Sequence, residues 1–368
     1  MKLFLPTCRS TMQIVTLIAV MLCSFCCPPA HGQSNIILRD LSLIEGREIT
    51  SFDFQSIKLD DNTLLGWDEV FRATVQPERQ AEFDKNIKEL GLPLFRLRQR
   101  IAIGDWNRLN EIADRLMVRY SGVDSPTGKT VCVATMKGRL ETRSRAAAVL
   151  PFLIACGKSA ELSPQILEAI GITNRELQSG ISNQILPVWF DLRAVEKQKD
   201  AIVAYSQEPG VTLPPGGNIY LASFCIALEQ WDEAKQYLDQ IDANADVQPW
   251  KRLLLAEVKY RESGATDGAS EHRVEPNTLP AIVAVGQFWH AENRARDETA
   301  ETAEKILNYL KISALWGESF PTLSSAALYR SILLAKSSNM AEEAETLAAE
   351  LLRSHPSSYH ERLLKFIK

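Results

Sequence analysis

Gly128-Lys129-Thr130 is the group of residues with the most distinct chemistry of its own, because glycine, lysine and threonine in that order end the loop that cradles phosphates. That loop also needs a glycine five positions before Gly128 and a strand leading in. Position 123 is Val123, and the upstream segment reads as helix. Ser125-Pro126, a capping residue with proline at the first helical position, explains the stretch as a helix start. Beyond the N-terminal segment the histidines are His272, His290, His355 and His360, and none stands in a His-Glu-x-x-His or Cys-x-x-Cys pattern. His355, before Pro356, suits a helix end, where a cation favours the dipole. There is no Gly-x-Ser-x-Gly elbow, and the carboxylate pairs Asp60-Asp61 and Glu342-Glu343 are adjacent, so they point in different directions on a helix. No catalytic residue, cofactor site or metal site is expected, and the chain reads as a non-enzyme.

The seven cysteines divide by position: Cys8, Cys23, Cys26 and Cys27 near the start, then Cys132, Cys156 and Cys225. Three scattered cysteines make no disulfide scaffold. A Cys132–Cys156 bridge is open to two adjacent helices, although burial as small hydrophobes is the simpler expectation.

The start of the chain has the grammar of a signal peptide. Lys2 and Arg9 precede an uncharged apolar run from Ile14 to Phe25, followed by Pro28, Pro29 and Ala30. A run of about a dozen residues is short for a bilayer core of about 30 Å. Ala30-His31-Gly32 places small residues where a peptidase reads, so cleavage is expected between Gly32 and Gln33. Lipidation is disfavoured because Cys23, Cys26 and Cys27 follow Leu22, Phe25 and Cys26 rather than a small residue. Loss of residues 1–32 removes two positive charges and no acid, taking the net charge from −5 to −7. Such a chain is a poor ligand for nucleic acid, which needs a basic face, and no second long apolar segment offers a stable membrane span. No Asn-x-Ser/Thr sequon is present. The expected address is therefore a bacterial periplasm or cell envelope.

Four segments follow: a signal peptide at 1–32, a small β-rich unit at 33–76, a helical hairpin region at 77–208 and a second helical region at 209–368. In the β-unit, short apolar groups from Ile36 to Trp67 are split by the turn formers Glu45-Gly46 and Asp60-Asp61-Asn62. From Pro77 the punctuation is helical. Pro77 opens a run to Leu90, Gly91 suits the position just past a helix end, and a run from Pro93 stops at Gly104. Ser163-Pro164 marks another start, and Thr173 with Glu176 fits a capping box. Leu186-Pro187-Val188-Trp189-Phe190 reads as strand or helix start, Pro209–Gly217 as loop, and Ser263–Asn277 as a polar loop. Trp106 and Trp231 fall at equivalent turns before a helix, which suits packing between neighbours, whereas Trp67, Trp250, Trp289 and Trp316 have no such parallel.

Three stretches share an i, i+3, i+4, i+7 stripe: Leu109-Ile112-Ala113-Leu116, Ala234-Tyr237-Leu238-Ile241 and Ala344-Leu347-Ala348-Leu351. Each follows a turn and an upstream apolar helix, at Pro93–Ile103, Asn218–Leu228 and Thr322–Ala335, so the natural unit is a helical hairpin and its stack an irregular α-solenoid. The pattern around Leu221-Ala222, Cys225, Ala234, Leu238 and Ile241, and again at Leu328, Ala335, Ala344, Ala348, Leu351 and Pro356, resembles the tetratricopeptide repeat. The resemblance covers about a third of the chain, with Ile332 where a small residue is usual and the repeats out of register. It implies that first helices face a groove for a protein or peptide partner, and that Tyr220, Ser223, Tyr329 and Lys336 line it. The basic, asparagine-rich carboxylate clamp of some family members has no counterpart. The functional expectation is an exported interaction or scaffold protein without catalysis. Two alternatives stand beside it: an enzyme or enzyme subunit whose active site one sequence does not display, and a binding role for the β-unit with the helices as spacer.

Overall fold

The computed structural model describes residues 35–142, 145–243, 246–263, 279–356 and 358–365. The signal-like segment, its expected cleavage point, and residues 264–277 of the polar loop lie outside them. The chain is mainly helical with small antiparallel sheets at its N-terminal end, and it divides into two compact units at Arg96/Leu97.

In the first unit six short strands form two three-stranded sheets. β1 (Ile36–Leu38) lies between β2 (Leu43–Ile44) and β6 (Val70–Ala73), while β4 (Ile57–Leu59) lies between β3 (Ile49–Phe52) and β5 (Leu64–Leu65). Alternation sets the faces, with Ile57 and Leu59 buried on either side of exposed Lys58. Within the expected 33–76 unit one strand lies beyond the apolar groups that close at Trp67, because β6 returns to pair with β1, Ile36 facing Ala73. Trp67 is the buried centre instead, its ring 5.9 Å from Phe52 and 5.3 Å from Phe83, with Nε1 donating to the Asp53 carbonyl at 2.8 Å.

Phe83 comes from α1 (Pro77–Asn86), which continues through a π-helical turn (Ile87–Gly91) into α2 (Leu92–Ile103). Gly91 therefore does not end a helix, and it lacks the left-handed φ which that position requires. Its role is close approach, since a Cβ there would sit 2.8 Å from the Trp67 carbonyl oxygen. Gly104 does end α2 in the left-handed region, at φ +66°.

The second unit continues with α3 (Trp106–Tyr120), α4 (Pro126–Thr142), α5 (Ala146–Cys156), α6 (Pro164–Ile170), α7 (Asn174–Ser179), α8 (Leu192–Ser206), α9 (Pro215–Ala227), α10 (Trp231–Asp239), α11 (Gln248–Ser263), α12 (Pro280–Arg296), α13 (Thr302–Trp316), α14 (Pro321–Ser337), α15 (Ala341–Ser354) and α16 (Tyr359–Leu364). The expected starts appear where capping chemistry puts them. Ser163 Oγ accepts from the Ile166 N–H, and Thr173 with Glu176 completes both arms of a capping box. α9 begins inside the expected loop, at Pro215, so that Gly216 can meet the Gly180 backbone.

All three stripes are the buried or half-buried faces of their helices. The second and third pair as expected, α10 on α9 and α15 on α14, but α3 packs on the following helix, α4. Gly138 of α4 allows this, bringing the Leu109 side chain and the Asn110 backbone to within about van der Waals contact, and Arg139 clamps Asp114 at 3.0 Å. From α8 onward each helix meets its chain neighbours: α11 touches α9, α10 and α12, and α14 touches α12, α13, α15 and α16; before that, α6 packs on α4, and α5 on α7 and α8. Among the described residues no helix is long and apolar enough to cross a membrane.

Candidate functional site: two cavities beside a buried irregular segment

Residues 181–191 run between α7 and α8 with neither helix nor strand. Pro187 lacks an N–H and holds the preceding residue extended, which removes both regular options expected for this stretch. Yet Ile185, Leu186 and Val188 are buried, so the main chain must find partners among side chains. Tyr220 Oη accepts from the Ser182 N–H at 3.0 Å and donates to the Ile185 carbonyl at 2.9 Å. Glu176 Oε1 accepts from the Asn183 N–H at 2.7 Å. Arg145 donates to the Gln184 carbonyl, and Tyr359 Oη to the Phe190 carbonyl at 3.4 Å.

The segment occupies the face of α9 that was expected to be a groove. Trp189 rests 4.5 Å from the Phe224 ring and donates through Nε1 to Ser223 Oγ at 2.8 Å. Tyr220 is fully buried beneath it, with its phenol pushed well up by burial. Ser223 is 2% exposed and also donates to the Tyr220 carbonyl. Tyr329 is half-buried against His360 and borders a cavity, whereas Lys336 is exposed in the last turn of α14 and borders neither cavity described below. The four sequence-derived residues thus do not form one surface, because the chain's own 181–190 segment covers the first two.

Two cavities flank this segment and share Val188, Trp189, Phe190, Tyr359 and Leu363. The larger, about 740 Å³, is walled by the ends of α4 and α5, by α14, and by the turn from α15 into α16; Arg145, Arg362, Glu141, Asp191 and His355, with the hydroxyls of Thr142, Thr322, Ser325, Ser354 and Ser358, bring its polar groups. The smaller, about 320 Å³, reaches α9 and α12 and is bordered by Phe288, Trp289, Glu292, Arg296 and Arg330. Phe190 packs edge-on between Phe288 at 5.8 Å and His360 at 4.6 Å, forming the aromatic partition.

Two serine–histidine pairs stand beside the partition. Ser325 Oγ lies 3.0 Å from His360 Nδ1, but it donates its proton to the Thr322 carbonyl at 2.9 Å, so the ring must carry hydrogen on Nδ1 and donate. That histidine is no base for Ser325. Ser324 Oγ lies 2.9 Å from both His355 Nε2 and Ser313 Oγ, yet Ser324 is fully buried. Burial keeps both rings neutral, pulling His360 down to about 3, with Arg330 and His355 adding to the effect, and lowering His355 against the raising influence of Glu350. Burial is also the first cause of the low Arg145 value, about 10.

The other candidate chemistries resolve as packing. Lys129 sits inside α4 and donates to the Lys158 carbonyl at 2.8 Å, while Lys158 grips the carbonyls of Ser121 and Val123 at 2.6 Å each. A Cβ on Gly128 would lie 2.4 Å from the Val123 oxygen, so the glycine serves that turn. Cys132, Cys156 and Cys225 are all free thiols, so the bridge left open between Cys132 and Cys156 is not formed. Burial pushes Cys132 and Cys225 up to about 12, which leaves them protonated and poorly nucleophilic.

Fold and site together define a mainly helical chain with a small N-terminal β-structure and a pair of aromatic-walled, arginine-bearing cavities in its second unit. No protein-family model, curated protein or solved structure matches the chain.

Proposed function

We propose that this is an exported, non-catalytic binding protein of the bacterial cell envelope, released by cleavage before Gln33, whose stacked helical hairpins of tetratricopeptide-like character hold a protein or peptide partner at the paired cavities. The observation that carries the reading is the cavity wall itself. Aromatic and aliphatic side chains stand beside charged and hydroxyl groups in both walls, a mixture that can hold and orient a ligand. The neighbour-to-neighbour order of helix packing from α8 onward supports a stack in that part of the chain. The test is affinity capture from envelope extracts with the wild-type protein and with Ser354→Trp, which fills the larger cavity from an exposed position. Partners recovered by the wild type and lost by the variant support the reading, whereas recovery of no specific partner, or equal recovery by both, overturns it.

A second reading, an enzyme or enzyme subunit, is favoured by the 2.9 Å Ser324–His355 contact and by the lowered His355 next to a cavity. Hydrolysis of a broad ester panel that Ser324→Ala abolishes would establish it.

A further inference from the structure

We propose, resting on the binding reading above, that the larger cavity recognises a carboxylate carried by a peptide, with Arg145 as its receptor and Arg362 as a second cation at the mouth. An arginine offers five N–H donors in a planar fork suited to a carboxylate. Arg145 uses two of its nitrogens, on the Thr322 hydroxyl and the Gln184 carbonyl, both neutral acceptors. Arg362 is exposed and has no carboxylate partner among the described residues.

The cavity's own acids are engaged elsewhere. Glu141 pairs with Lys137 at 3.0 Å, and Asp191 accepts from the Ala194 N–H as the cap of α8. Neither guanidinium has a carboxylate at ion-pair distance among the described residues, although Glu141 acts on Arg145 through space; Arg145 is partly withdrawn from water, where an arriving anion gains most. Burial already weighs against the charged form of Arg145, the strain that a carboxylate would relieve.

A peptide fits better than a free acid because the charge does not stand alone. Val188, Trp189, Phe190, Pro321 and Leu363 give an apolar ledge beside it, and the ledge continues past the partition into the smaller cavity. Neighbouring residues of one strand can thus place an acidic side chain in one cavity and an apolar one in the other. The site already grips an irregular main chain through side chains, its own 181–190 segment being held by Tyr220, Arg145 and Tyr359.

The test uses the full chain and three pools of acetylated hexapeptide amides, randomised except for a fixed Asp, Asn or Lys at the fourth position, with hexanoate as a free-acid probe. Retention after equilibrium dialysis is read by mass spectrometry. The Asp pool should be retained about tenfold over the Asn pool and the Lys pool least, a ratio that falls as salt rises. Arg362→Gln should cut the Asp preference to about threefold or less and leave Asn retention unchanged. Arg145→Gln should abolish the preference; circular dichroism checks its fold, and the exposed Arg362 variant keeps the test decisive if it does not fold. Equal retention of Asp and Asn pools, or a Lys preference, overturns the carboxylate proposal. Hexanoate displacing the Asp pool at equal concentration overturns the peptide assignment. If no pool is retained while cavity-dependent partner capture persists, this proposal fails and the binding reading stands; if capture is also lost, both fail.

Discussion

The most quantitative consequence of the cavity geometry is an acid sensitivity traceable to His360. The ring is 2% exposed, donates to Ser325 Oγ and is enclosed by Phe190, Tyr329 and Tyr359 at 4.6–5.6 Å. Folding lowers its pKa from 6.5 to about 3. Between those values the unfolded chain binds the proton and the folded protein does not, so stability falls as pH falls through that window. With about 1.4 kcal/mol per tenfold change, the loss from pH 7 to pH 5 is about 2 kcal/mol, approaching about 5 kcal/mol below pH 3. His360→Asn retains a donor for Ser325 without the titrating ring. It should be less stable than the wild type at pH 7 but lose about 2 kcal/mol less between pH 7 and pH 5. Urea unfolding followed by far-ultraviolet circular dichroism at both pH values measures the difference. Equal losses in the two proteins, or a His360 ring whose NMR shifts titrate near pH 6.5, would refute the argument.

Glu257, fully buried, takes the Arg261 Nε at 2.6 Å and the Asn293 amide at 3.1 Å. Glu257→Ala strands both donors and should cost about 3–5 kcal/mol in urea unfolding, against a much smaller loss for Glu257→Gln. In α9, a Cβ on Gly216 would meet the Gly180 carbonyl oxygen at 2.1 Å. Gly216→Ala should therefore lower stability by about 1–3 kcal/mol even though alanine is the better helix former by about 1 kcal/mol; a stabilised variant would show that the backbones are further apart. The thiols of Cys132, Cys156 and Cys225 should react with a disulfide reagent at pH 8 only after unfolding, and reduction should leave the mass of a chain beginning at Gln33 unchanged. A rapidly reacting native thiol would contradict their burial-raised pKa values.

Local rules account for much that was legible beforehand. Proline, serine and threonine caps placed helix starts at Ser163 and Thr173, and the three apolar stripes named the buried faces of α3, α10 and α15. Each rests on interactions within four residues, which a sequence displays directly. Gly91 misled for an instructive reason. A glycine is equally suited to a left-handed helix end and to close approach by another backbone, and only the position of the Trp67 carbonyl chose between them.

The site itself was written in contacts that sequence spacing does not carry. Arg145 meets Gln184 and Thr322 from 39 and 177 positions away, and Tyr359 reaches back 169 positions to Phe190. Tyr220 looked like a groove residue because a tetratricopeptide-like first helix presents one there. The tertiary structure laid an irregular, proline-bearing segment over it, since that segment's apolar residues also needed burial and its main chain needed the Tyr220 hydroxyl. The sequence alone thus determined the expected helix starts and the apolar faces of α3, α10 and α15, because helix periodicity and capping are local, but it paired α3 with the wrong neighbour. What covers those faces, and where arginines are left facing a cavity, was decided only when distant segments competed for the same surface.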